Sequence, residues 1–320
     1  MFITYIRGVI RVMILFLFGS TGEIITEKSG HLNMGTPGIM CMGATGSVVG
    51  AYIYMSTVID PSDANGFLSI FMPELFCILF AGLTGLLYCF LVNTLQCNQN
   101  VTGLTITTFG AGVFPFVSNI TGNDGFSIIS SMYYTHIFPV EFCEANWFTQ
   151  IFLSHGFLVY LAIGIAVGAL IILKKTRVGL ALRAVGESPS TADASGINVS
   201  RYKYIATITG SVISGLGGLY YLMVMNNGAL EFNVESFGWL AVALVIFSLW
   251  NPGFAIAGSF IFAAFYQLPK FISSSGATSQ IISLIPYFVT IIVLIVVSLF
   301  NKRETQPPAS LGVNYFREDR

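Results

Sequence analysis

The sequence predicts an all-α polytopic membrane protein of eight to ten transmembrane helices, with an inverted repeat and broken or re-entrant helices. Three observations carry this reading: too little charge to cover a soluble fold, several charge-free stretches of membrane-crossing length, and a weak internal repeat. Of 320 residues 54% are hydrophobic and only 9% charged, with a mean hydropathy of +0.77, whereas an ordinary soluble domain is roughly 25% charged. A helix crossing the bilayer needs about 20 mostly apolar residues. Thr36 to Ile59, Leu75 to Leu95, Phe152 to Leu173, Tyr204 to Met225 and Ile281 to Phe300 meet that test without an Asp, Glu, Lys or Arg.

At the start of the chain, Arg7 and Arg11 precede an apolar run in the manner of a signal peptide, but no small-residue cleavage site follows. A retained first helix over about 12–26 is expected, then helices at 36–59, about 67–95, 101–118, 152–173, 204–225, 237–250, 254–271 and 281–300. The 174–203 loop holds Lys174, Lys175, Arg177, Arg183, Arg201 and Lys203 against only Glu187 and Asp193, so the positive-inside rule places it in the cytoplasm. The stretches 119–150 and 60–66 carry acids and no Lys or Arg, and belong outside. Counting forward from the loop returns the polar 302–320 tail, with Lys302 and Arg303, to the cytoplasm. Counting backward leaves Arg7 and Arg11 outside, against the rule, so a miscount in that half is expected. Either the 67–95 run holds two short helices around Gly82 and Gly85, or the segment near Asn33 is re-entrant.

The repeat places Leu32–Gly38 over Phe232–Gly238, matching Asn33 with Asn233 and Gly38 with Gly238, each before an apolar helix. Two pseudo-repeats, about 12–118 and 204–300, thus make up a single membrane domain over 1–301. Such irregular helix starts at corresponding positions of inverted halves line the solute path of transporters, because broken backbone at membrane depth is tolerated only beside protein or water. Asn33, Gly38, Asn233, Glu235, Gly238 and Trp239 are therefore candidate path residues. Chance similarity of two polar helix starts is the competing reading, as is an interfacial belt or packing role for Trp239 and Trp250.

Other features exclude more than they assert. Small residues recur at helix spacing in Gly46-x-x-x-Gly50, Gly164-x-x-x-Gly168 and Gly210-x-x-x-Ser214-x-x-x-Gly218, where helix packing is expected. The five cysteines form no C-x-x-C pair, the three histidines match no metal-ligand spacing, and no nucleophile–base pairing is discernible. Nothing in the charge pattern points to nucleic acid. The spans offer few ionisable groups, Glu23, His155 and Glu74, which weakens an ion-coupled carrier. There is no G-x-x-x-x-G-K-[ST] phosphate loop, so ATP, if used, is bound elsewhere.

Local chemistry in the central loop predicts two short helices. Ala, Leu and Arg favour helix over 178–185 with Gly186 as its C′ residue; Ser188 caps a second, Pro189 opens it and Gly196 ends it. Such a capped pair is either a docking knob or a solvated basic loop.

The run "RVGLALRAVGESPSTADASGINVSRYKY" with "GSVISGLGGLYY" resembles the cytoplasmic signature loop of ABC importer permeases that serve ribose-type sugars, nucleosides and branched-chain amino acids. "TEKSGHLNMGTPGIMCMGATG" resembles that family's segment after its first helix, and "FGWLAVALVIFSLWNPGFAIAGSFIFAAFY" its late broken helix. The form "LNMGTPGIM" is nearer the sugar and nucleoside branch, while Thr36-Pro37 and the 119–150 loop depart from the pattern. The resemblance implies a non-enzymatic permease for a small polar solute in the bacterial cytoplasmic membrane. It also implies a cytoplasmic ATP-binding subunit docking on Arg183, Gly186, Glu187, Pro189, Asp193 and Gly196, a second permease chain, and an extracytoplasmic solute-binding protein. A branched-chain amino-acid permease and an ATP-independent facilitator or secondary carrier stand as alternatives.

Overall fold

The computed structural model describes residues 2–58, 64–122, 146–230, 233–271 and 306–316, with isolated positions between 126 and 137 and between 284 and 295. Its helices in chain order are α1 (Phe2–Glu27), α2 (Thr36–Met55), α3 (Gly66–Cys89), α4 (Gln99–Thr121), α5 (Trp147–Phe152), α6 (Phe157–Lys175), α7 (Arg177–Glu187), α8 (Pro189–Ala194), α9 (Val199–Tyr220), α10 (Val234–Phe247) and α11 (Pro252–Gln267). Single π turns prolong α3 to Thr94 and α9 to Met225. Seven of these elements are long and apolar enough to cross a membrane, and α10 is a shorter apolar helix. The fold is that of an all-α polytopic membrane protein. The expected 281–300 span and most of the 119–150 loop lie outside the described residues.

Burial sorts the helices into layers. α1, α2 and α9 are buried on most of their faces, while α3, α4, α6 and α11 bury one side and leave an apolar outer surface such as Leu79, Leu83, Phe109 and Ile171. An exposed apolar face of that kind is what lipid replaces water against. Glycines let the inner helices touch: Gly43 of α2 faces the backbone of Gly215 in α9, Gly218 meets the Met40 carbonyl, and Gly22 of α1 faces Gly210. The expected packing is present for Gly46 and Gly50, which face Phe76 and Met72 of α3. Gly164 and Gly168 differ, since no described atom lies within 4 Å of where their side chains would start.

The 67–95 run is one continuous helix, not two. Gly82 and Gly85 sit inside it, and Gly85 brings α3 against Ser211 and Thr207 of α9. The whole stretch to Thr94 rises about 43 Å, more than a bilayer core of about 30 Å, so it tilts or protrudes.

Hydrogen bonds fix which connections share an end of the bundle. Gly186 O accepts from Ser310 N at 3.1 Å, Gly30 O from Gly312 N at 3.1 Å, and Gln96 O from Asn314 Nδ2 at 2.9 Å. The α1–α2 connection, the α3–α4 connection, the α7–α8 pair and segment 306–316 therefore lie together at what is here termed the loop end. Arg7 and Arg11 lie at the opposite end, around a pocket shared with Met225, Gln267 and Lys270. Among the described residues the backward count shows no extra crossing. Arg11 is accommodated there because its guanidinium donates to Val224 O at 3.5 Å, at the C-terminal end of α9, where the helix dipole favours a cation.

Candidate functional site

Two places bring the sequence-predicted residues together. The first is the α7–α8 pair. Thr176 Oγ1 accepts from Gly179 N at 3.1 Å to start α7, and Gly179 lets the helix fold back onto the Ile172 carbonyl of α6. α7 does not end at Gly186 as a C′ glycine. It continues to Glu187, because the stop comes from Pro189, which forces Ser188 into an extended conformation (φ −151°, ψ 91°). Gly186 is a buried helical residue, small because the Lys28 carbonyl and Pro308 press on it. Ser188 then caps α8, accepting from Thr191 N at 3.4 Å, and Gly196 leaves α8 in the left-handed region (φ +83°) as expected.

Val185, Ala192 and Val199 form a small apolar cluster with Ile197, Tyr202 and Tyr315 that pins the pair to the start of α9. Arg183, Glu187 and Gly196 remain exposed, while Pro189 and Asp193 are half-buried. Burial pushes the Lys28 ammonium below its ordinary range; the nearby Glu187 carboxylate pulls it back up and Arg183 adds to the lowering. Lys28, Lys174, Arg183, Glu187, Trp250 and Asn251 line a pocket of about 390 Å³ beside the pair.

The second place lies within the bundle, where the two repeat-like segments meet. α2 begins inset from the loop end: Asn33 Nδ2 donates to Glu23 Oε2 at 3.3 Å, the Thr36 hydroxyl donates to the same oxygen, and Asn33 Oδ1 accepts from Gly35 N at 3.0 Å. Asn33 is 2% exposed and spent on this network. Gly38 packs on the backbone of Ile106 and Thr107 in α4. α10 likewise begins inset, from the other end: the Phe237 ring lies 6.0 Å from that of Phe16, tilted by 48°, partway along α1. Gly238 packs on Pro37. Asn233 and Trp239 face away from the packed side, with Glu235 half-buried between them and 3.5 Å from Trp239 Nε1.

Sequence reasoning missed the partners of the buried acids. Glu27 as well as Glu23 is enclosed at the end of α1, and Trp250 Nε1 donates to the Glu27 carboxylate from the α10–α11 turn. His31 Nδ1 lies 2.9 Å from Thr207 Oγ1, and buried Lys203 lies close by in α9. The signal available was two carboxylates four residues apart at the end of a membrane-length helix, a pattern too costly in a membrane to be idle.

Comparison with known proteins follows this geometry. Residues 5–297 match the family model described as the branched-chain amino acid transport system permease component. A nucleoside ABC transporter permease of Lactococcus lactis subsp. cremoris is 30% identical over 309 residues, covering 94% of this chain and 93% of the relative. A guanosine ABC transporter permease of Bacillus subtilis is 28% identical over 93% of this chain and 92% of the relative. A putative glucose ABC transporter permease of Haloferax volcanii is 26% identical over 80% and 74%. No solved structure matches the chain. With the family model spanning nearly all of its helices, the chain belongs to this permease family and is the non-enzymatic membrane component of an ABC transporter, a system that also has an ATP-binding subunit and a substrate-binding protein.

Proposed function

We propose that the chain forms the translocation path of an importer for a nucleoside or simple sugar in the bacterial cytoplasmic membrane, working beside a second permease chain. ATP is bound and hydrolysed by the separate subunit, which docks on α7–α8 through Arg183, Glu187, Pro189, Asp193 and Gly196, while Gly186, enclosed by Lys28 and Pro308, holds α7 in place from beneath. ATP-driven closure of that subunit pushes on the helix pair and tilts α6 and α9, to which it is directly joined. The solute class rests on relatives matched over more than nine-tenths of their length, whose names specify nucleoside and guanosine.

The observation that carries the path is polar exposure within the bundle. Asn233, Glu235 and Trp239 open α10 beside Phe16, yet face away from the packed core. Polar groups at that depth need water or another protein chain against them, since lipid cannot satisfy them. An amide, a carboxylate and an indole are also the groups that hold a ring-bearing polar solute, by hydrogen bonds and stacking. The test is uptake of labelled guanosine and glucose by proteoliposomes holding the permease, ATP-binding and solute-binding proteins. Trp239→Ala and Asn233→Leu are expected to lower uptake while assembly persists, and Glu187→Lys to release the ATP-binding subunit. Unchanged uptake in the first two sinks the path; an intact complex in the third sinks the docking site.

A further inference from the structure

Segment 306–316 has no regular secondary structure, yet in six residues it bonds to α7, α8, the first residue of α4 and the α1–α2 and α3–α4 connections at the loop end. Ser310 donates to Gly186 O through both N, at 3.1 Å, and Oγ. Gly312 N donates to Gly30 O at 3.1 Å. Asn314 Nδ2 donates to Gln96 O at 2.9 Å and Cys97 O at 3.2 Å, and its Oδ1 accepts from Gln99 Nε2 at 3.0 Å. Tyr315 OH donates to Asp193 Oδ2 at 3.1 Å, while its ring packs in the cluster under α7–α8.

These contacts fall on groups that need partners. Gly186 lies in the last turn of α7, whose carbonyls have no acceptor role left within the helix. Gly30 and Gln96 belong to turns between helices, Gly30 at φ +90° and Gln96 at φ +57°. The segment therefore serves as a cap and a tie at once. On one side it holds α7 at Gly186 and α8 at Asp193. On the other it holds the α1–α2 and α3–α4 connections, which position Asn33 and the inset start of α2.

We propose that Ser310, Asn314 and Tyr315 are positioning residues: they make 306–316 a strap that transmits displacement of α7–α8 to the ends of α1 to α4, a route separate from the covalent one through α6 and α9. This rests on the docking reading above. The strap touches no solute, and its function is to keep ATP hydrolysis in step with movement of the bundle.

The test uses the assembled transporter with Asn314→Leu and Tyr315→Phe combined, which removes the amide contacts and the Asp193 bond and keeps the ring. Co-purification of the ATP-binding subunit, ATP hydrolysis and solute moved per ATP are read together, with Glu187→Lys as the docking control. The expected result is an intact complex that still hydrolyses ATP but moves about fivefold less solute per ATP, the scale of about one net hydrogen bond, since water replaces most of the four that the double variant removes. Restoring Tyr315 alone recovers part of the ratio. An unchanged ratio overturns the strap, as does release of the ATP-binding subunit by the double variant, which would make these residues docking contacts. If Glu187→Lys leaves the complex intact, the docking reading fails instead and takes the strap with it.

Discussion

Pro37 of α2 packs against Gly238 of α10, 201 positions along the chain, and there the two inset helix starts meet. A side chain at Gly238 would begin 2.7 Å from Pro37 Cβ, closer than atoms in contact can lie. Pro37 has a fixed ring and cannot turn aside.

Gly238→Ala is therefore expected to force the helices apart and lower stability by about 1–3 kcal/mol, the usual cost of overpacking. Gly164→Ala, with nothing described within 4 Å, is the matched control and is expected to leave the melting midpoint unchanged or higher. Equal midpoints for the two variants in detergent would refute the contact.

Trp250 donates its indole N–H to Glu27, joining the α10–α11 turn to the end of α1. It does so from a left-handed backbone (φ +53°), as does Leu249 (φ +54°), a conformation that side-chain-bearing residues adopt at a cost. Trp250→Phe keeps an aromatic ring, though a smaller one, and removes the donor, leaving the enclosed carboxyl short of a partner. Destabilisation of about 1–2 kcal/mol is expected, read as a lowered melting midpoint. A change no greater than that of an exposed substitution such as Phe67→Leu counts against the bond.

Thr36→Val is nearly isosteric and removes the hydroxyl that bonds Glu23, leaving that carboxyl the donation from Asn33. The same assay should register about 1–2 kcal/mol lost. Thr36→Ser, which keeps the hydroxyl, should recover most of it; failure of Ser to outperform Val would assign the loss to packing.

His31 gives a pH dependence. Burial, with the Lys203 charge adding to it, holds its imidazole well below the ordinary range, and its described neighbours are Thr207, Lys203 and Tyr88. The folded ring stays neutral while the unfolded chain takes up a proton below about pH 6.5, so stability falls as pH drops from there toward the folded value. Between about pH 7.5 and pH 5.5 the melting midpoint of the native protein should fall further than that of His31→Gln. Parallel slopes would remove His31 as the cause.

The parts legible in sequence were those fixed by local chemistry. Ser188, Pro189 and Gly196 specify α8 by capping, proline placement and a left-handed exit, and each does so in the structure. Among the described residues the charge-free runs specified helices for the same reason, since length and polarity act within the run itself; the 281–300 run lies outside them. Gly186 misled because a glycine near a helix end has two uses, a left-handed turn and a close approach, and only the position of Lys28 and Pro308 separates them. The count through Arg7 and Arg11 misled because the positive-inside rule weighs charge without its partners, here the end of α9. The strap left no pattern to read: its bonds join irregular segments, as with Ser310 and Gly186 at 124 positions apart.

α10 contains 14 residues, a rise of about 21 Å where the hydrocarbon is about 30 Å thick. Through Trp250 its final turn is level with the end of α1. α10 therefore starts well short of the N-terminal end of the 26-residue α1, with Phe237 beside Phe16. A helix start at that level leaves free backbone N–H groups inside the bundle, where protein or water, not lipid, supplies their acceptors.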